Sequence, residues 1–508
     1  MKPKTTLRHF LALAGSSLLA ISSASAQSTL YFDGGTTDIA GNGNGSSAGG
    51  AGTWNTTTKN WDAGAVPYVA WNNANGDNAV IAGSGTLTVD VPVTVGALTL
   101  SYTSGTRTIN GSEITINSGL SLGSLAGLTW NAPIKLGGDQ IWSHGGNNTT
   151  AKRILGGTNL NGHQLTYNSS NTPTNGSLLN HGSITGTGDI VKDGTGRVTL
   201  SSGTGDNTYT GSTTVKNGIL AMGSATALGN VNNQLTVNTG GTLDMSNQSL
   251  TVGNLTGTGG VITSTHTSGT RTLTIGSGNA GGGNFQGVIE NGTTGSTTAL
   301  TKTGNGTITL SGNNSYTGAT NVNAGSLIIN GNSSTATGLV SVAAAGTLGG
   351  SGTVGGATTI NGNLRPGTSP GVLSFSNSLA LASTSTTTFE IDGVTRGTDY
   401  DGVNVGTTLG LGGALVFDIG AILSSTTFNL FDVTGATSGD FSAVSLTGLY
   451  GTQSFTNNLG VWTTTTNAGN EVWTFTQSTG DLNLAVIPEP SAALLGGLGF
   501  LALLRRRR

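Results

Sequence analysis

Apolar residues along this chain fall in short alternating runs, separated by turns rich in Gly, Asn, Ser and Thr. In "KDGTGRVTLS" (192–201) Val198 and Leu200 share one face; in "NTYTGSTTVKNGIL" (207–220) Thr213 pairs with Val215, then Ile219 with Leu220. A period of two over a few residues is the mark of a strand with one buried face. The same alternation continues in "GTLTVDVPVTVGALTL" (85–100), "NQLTVNTGGTLDM" (233–245) and "GALVFDI" (413–419). No helical period appears between the two ends, so the pattern predicts an all-β protein.

The alternation also repeats. "KDGTGRVTLS" is matched by "KTGNGTITLS" (302–311), and "NTYTGSTTVKNGIL" by "NSYTGATNVNAGSL" (314–327), the first copy carrying a short insertion, Gly203 to Gly205. A strand of this length cannot bury an apolar face alone, but strands stacked coil upon coil share hydrogen-bond ladders and one continuous interior. The expected architecture is a right-handed parallel β-helix, a solenoid, with Val215 and Val322 pointing inward and Thr214 outward. A string of β-sandwich domains is the alternative, and no linker or break in composition favours it.

Composition fits a solenoid. Glycine supplies 87 of 508 residues, charged types only 8% and hydrophobic types 34%, a mixture suited to sharp corners around one inward row. There is no cysteine, which excludes disulfides and thiolate zinc sites. Setting aside the seven basic residues of the two ends and Glu489, the body carries 12 basic against 21 acidic residues. Such a body repels a phosphate backbone, so no nucleic-acid partner is expected.

The two ends have a different character. Lys2, Lys4 and Arg8 precede an apolar stretch, Phe10 to Ile21, followed by Ala24-Ser25-Ala26. This is a secretory signal over 1–26, forming a short helix and cut by signal peptidase after Ala26. At the other end Pro488-Glu489-Pro490 leads into an apolar run, Ala492 to Leu504, and then Arg505, Arg506, Arg507 and Arg508. As a helix those 13 residues reach about 20 Å against a hydrocarbon core of about 30 Å, and the arginines favour the cytoplasmic face.

Between the ends, residues 27–80 hold Trp54, Trp61 and Trp71 and read as an N-terminal cap, with sugar stacking as the alternative use of the indoles. Residues 81–371 read as the β-helix. Residues 372–485, richer in Phe, read as a C-terminal β region or second cap, and 486–508 as a sorting segment.

Two resemblances follow from these motifs. Pro488, Glu489 and Pro490 with the apolar run and Arg505 to Arg508 resemble the PEP-CTERM sorting signal of exported proteins of Gram-negative bacteria. That resemblance implies recognition by exosortase, removal of the tail, a transient inner-membrane stage, delivery to the cell surface or outside, and a link to exopolysaccharide. Lys192, Gly194, Gly196, Tyr209, Thr210, Gly211 and Gly218 resemble the autotransporter-associated β-strand repeat. So do Lys302, Gly304, Gly306, Tyr316, Thr317, Gly318 and Gly325, about 189–220 and 299–330 in all. A looser echo lies at 357–375.

Chemistry is sparse. Glycoside hydrolysis needs two carboxylates at a set separation, and the nearest pairs are Asp399 with Asp401 and Glu390 with Asp392, which read better as outward edge charges. His9, His144, His163, His181 and His266 lack metal-ligand spacing. "GSGTVGG" (350–356) fits a dinucleotide-loop pattern, but no helix follows it. Gly186-x-Gly188-Asp189 resembles a fragment of a calcium repeat. The sequence therefore yields no catalytic, cofactor-binding or metal-binding residue and no cofactor. The reading it supports first is a non-catalytic, exported structural or adhesive β-helix. A polysaccharide lyase or hydrolase comes second. An autotransporter passenger comes last, because that reading calls for a membrane barrel.

Overall fold

The computed structural model describes residues 27–34, 43–145, 152–154, 156–170, 179–180, 182–201, 205–292 and 295–487. Both expected terminal helices lie outside these residues, as do His9, His181, Ala24, Ala26, Pro488, Glu489, Pro490 and Arg505 to Arg508. The described chain is all-β, with two single-turn 3-10 segments and no α-helix. Among the described residues no helix is long and apolar enough to cross a membrane.

Strands pair in parallel with strands one coil away. Leu165–Ser169 pairs with Ile190–Asp193, which pairs with Thr213–Val215 and through it with Leu235–Val237. In the later coils the rungs resolve into three sheets, one to each side of the coil. One runs from Leu250–Thr251 to Thr437–Gly439, a second from Gly283–Phe285 to Gln453–Ser454, and a third from Asn332–Ser333 to Phe431–Val433. The interior is a continuous ladder in which Val322, Val342, Ile360 and Leu381 stack directly on one another. Val215 and Val322 are fully buried, while Thr214 between its buried neighbours is only half-buried. The period of two thus sets inside against outside as expected.

Two strands depart from the short-run pattern. Val93–Gly111 and Ile114–Trp130 stay paired over 19 and 17 residues. Register shifts between Val95 and Ala97 and again on either side of Tyr102 let them turn corners without leaving the ladder.

At the N-terminal end Thr29–Phe32 pairs antiparallel with Lys59–Asp62 and parallel with Asn78–Ala82. The three tryptophans of this region are all buried, with ring centroids 4.7 to 5.1 Å apart. Their stacking partners are one another and Phe32, which leaves no indole face open to a sugar and replaces the stacking alternative with packing. Arg107, which the strand pattern gave no reason to bury, is also inside. Its guanidinium donates to the carbonyls of Gly50, Ala82 and Gly83, tying successive coils.

At the other end the parallel ladders run well past residue 371, through Ala414–Ile419 to Ala443–Gly448. An antiparallel sheet closes this end, in the order Thr426–Asn429, Asp481–Val486, Glu471–Thr476, Val461–Thr466, Thr456–Asn458, its first strand drawn from within the last coils. Phe475 from this sheet meets Phe417 and Phe441 of the last coils at 5.6 and 6.0 Å. The extra phenylalanines of this region therefore seal the coil interior.

Candidate functional site

The paired repeats build the same corner twice. Lys192 and Lys302 occupy inward positions of the ladder, opposite Val215 and Val322, and both are fully buried. Each ammonium finds three carbonyl acceptors: Asp193, Gly194 and Asn217 for Lys192, and Thr303, Gly304 and Ala324 for Lys302, at 2.7 to 3.1 Å. An ammonium has three donors and no acceptor, so each site satisfies the group completely. Burial pulls both pKa values down to about 8. The third acceptor in each case belongs to the next coil, which makes the lysine a staple between coils.

The glycines around each staple are fixed by space as well as by φ. Gly218 and Gly325 have φ of +64° and +63°, and a Cβ at either would lie 2.4 to 2.5 Å from the carbonyl oxygens of the preceding Gly-x-Gly turn. Tyr209 and Tyr316 sit buried at the next corner, with hydroxyls paired to Thr213 and Thr320 at 2.6 and 2.8 Å. Asn207 and Asn314, not singled out from sequence, cap the previous coil by accepting the N–H of Ile184 and Ile289. The signal that marks them is the shared Asn-x-Tyr of both copies.

The acidic pairs divide between two environments. Asp401 is buried, and both its oxygens are held by backbone N–H groups, of Gly371 at 2.9 Å and Glu390 at 2.8 Å. Burial, against those two bonds and with the nearby charges of Glu390 and Asp392, raises its pKa to about 7. This corrects its reading as an outward edge charge: it pins the Pro366 to Gly371 turn to the adjacent strand. Asp399 accepts from Thr395, whose hydrogen bonds hold its carboxyl below the usual range. Stacking places Glu390 directly beside Asp418, and with Asp392 and Ser369 they line an open groove of about 430 Å³. Asp399 and Asp401 are not part of that lining, whereas Glu390 and Asp392 both are.

The three described histidines stay apart. His144 is buried in Gln140–His144, His163 lies 3.5 Å from Asp139 at a turn, and His266 sits beside Arg271 in an exposed loop. Among the described residues no three His, Asp or Glu are grouped to hold a metal ion. The glycines of 350–356 lie in rungs and corners of the solenoid, with no helix to receive a phosphate.

Residues 190–222 and 300–329 match the Passenger-associated-transport-repeat family. These two passenger-associated repeats coincide with the segments that carry Lys192 and Lys302. Over 247 residues, 48% of the chain, the sequence is also 29% identical to Adhesin BmaC autotransporter of Brucella suis biovar 1 (strain 1330). The matched region covers 5% of the length of that adhesin.

Proposed function

We propose that this chain is an exported, surface-displayed β-solenoid of the autotransporter-passenger kind, adhesive or structural and without catalytic activity. The observation that carries this reading is the pair of passenger-associated repeats, each with the same lysine corner, set in parallel ladders of stacked coils. Similarity to an autotransporter adhesin supports it. Together they favour the passenger reading, which the sequence alone ranked last, over an enzyme. The coil is right-handed on the general preference of parallel crossovers. Residues 27–80 and the antiparallel sheet act as its caps, which protect the open edges of the ladder.

Sorting is a second layer of the proposal and rests on sequence. Ala24 and Ala26 direct cleavage by signal peptidase, and Pro488, Glu489, Pro490 and Arg505 to Arg508 present the tail to an exosortase at the inner membrane of a Gram-negative cell. Contact with exopolysaccharide at the surface goes with that route. The adhesive reading is tested by comparing attachment of the native strain, a deletion strain and a complemented strain to an abiotic surface and to their own exopolysaccharide. A severalfold loss on deletion, restored by the intact gene, is expected; equal attachment by all three would overturn the adhesive role.

A further inference from the structure

Asn-Gly pairs recur along the body, and in every described pair but one the carboxamide is held. Asn291 accepts from the N–H groups of Thr298 and Thr317 and donates to the Thr317 hydroxyl. Asn330 accepts from Ser351, and Asn361 donates to the Val342 carbonyl. Asn44, Asn75, Asn110, Asn161 and Asn217 each make at least one such bond. Asn305 is the exception. Its side chain is exposed and has no hydrogen-bond partner among the described residues, and only its backbone N–H is engaged, by the Asn279 carboxamide at 2.9 Å.

The two repeat copies differ at this point. In the first the turn is Gly194-Thr195-Gly196, and the Gly196 N–H donates to the Ser169 carbonyl at 2.7 Å. In the second it is Gly304-Asn305-Gly306, and among the described residues the Gly306 N–H has no acceptor. The second copy alone therefore sets an unheld carboxamide next to an unheld backbone amide, on a residue with no side chain to hinder approach. Groups on adjacent residues react with the advantage that proximity confers.

We infer that Asn305 is a site of spontaneous covalent modification, at which the Gly306 nitrogen attacks the Asn305 side-chain carbonyl. A bond forms between that nitrogen and Cγ, the bond from Cγ to Nδ2 breaks, and Nδ2 leaves as ammonia with the proton of the Gly306 amide. Water then opens the resulting cyclic imide at either carbonyl, giving aspartate or, with the chain rerouted through Cβ, isoaspartate. The turn belongs to the second lysine staple: Thr303 and Gly304 hold the Lys302 ammonium, and Gly306 accepts the Ser326 N–H at 3.2 Å. It also packs so closely on Gly325 that a Cβ there would lie 2.4 to 2.7 Å from atoms of Gly304, Asn305 and Gly306. An extra backbone carbon has no room at that contact, so the isoaspartate form loosens this staple, while the first copy, with Thr195, keeps its own. The inference does not depend on the surface role proposed above.

The test incubates the full chain in heavy-oxygen water and digests it in ordinary water, so that only conversions during the incubation carry the label. Mass spectrometry with fragment-ion localisation should find label at residue 305 severalfold above that at Asn217, Asn330 or Asn361. Asn305→Thr, which copies the first repeat, should carry none there, and chain unfolded in urea should lose the selectivity. Aged native chain should melt at a lower temperature than fresh chain, and aged Asn305→Thr should not. Label spread evenly over the Asn-Gly pairs of the folded chain, or a folded chain unlabelled at residue 305 while the unfolded chain is labelled there, would overturn the site. Unchanged melting of a chain fully labelled at residue 305 would overturn its effect on the staple.

Discussion

Single positions in this protein are decided by which side of a three-residue rung they occupy. Val215 and Thr214 are neighbours, yet the first is sealed inside the ladder and the second faces outward, half-buried between Val191 and Thr236 of the adjacent rungs. An unpaired carboxylate at the inner position loses its hydration with nothing in return. Val215→Asp and Val322→Asp are therefore expected to cost roughly 3–5 kcal/mol, and Thr214→Asp well under half of that. Thermal unfolding of the three variants checks the assignment, and equal losses at all three positions would refute it. Burial alone does not rule out polar residues inside. Asp244 is buried too, and although burial pushes its carboxyl up, hydrogen bonds from Thr265 and Ser246 and the Arg197 guanidinium at 2.6 Å hold it below the usual range.

The repeat corner is the next scale up, and here the lysines matter as a pair. Each sits in an inward row otherwise filled by apolar and aromatic side chains, between Tyr167 and Val215 for Lys192 and between Ile275 and Val322 for Lys302, and each amine has a folded pKa near 8 against an ordinary value of 10.5. Between those limits the unfolded chain binds a proton that the folded chain has released, so stability rises with pH across the window from about 8 to 10.5. Below pH 8 both states are protonated and this dependence disappears. Lys192→Met and Lys302→Met should lack the rise, so the gap in melting temperature between the native chain and the double variant should widen from pH 8 to pH 10. A constant gap over that range would show that the amines do not titrate on unfolding.

The corner also shows what sequence can and cannot reveal. Lys192, Tyr209 and Gly218 stood out because a second copy repeats them, and alternation alone placed Val215 inside. Arg107 did not stand out, and Asp401 stood out only as one of a pair read as outward edge charges. Their burial depends on carbonyls and N–H groups of other coils, Gly50 for Arg107 and Gly371 for Asp401, and nothing local announces such partners. The long strands from Val93 and Ile114 were hidden for a related reason: bulges interrupt the alternation at the points where the ladder turns a corner. Similarly, alternation cannot distinguish the last parallel rungs, up to Gly448, from the antiparallel sheet that follows, because both bury every second residue.

As a whole the molecule is one continuous interior, closed by tryptophans at one end and by phenylalanines at the other, with several buried charged groups holding coils together, while Glu390, Asp392 and Asp418 face an open groove. Arg107, Lys192, Lys302 and Asp401 are each satisfied by backbone groups. A solenoid of this kind offers long outward rows of Thr, Ser and Asn, and it serves a surface role only if the body stands outside the cell. Proteolytic shaving of intact cells, with mass spectrometry of the released peptides, measures this directly. Peptides from 81–371 should be released without lysis and should be absent from the deletion strain. Recovery of those peptides only after the cells are broken would contradict surface display and, with it, the passenger-like role.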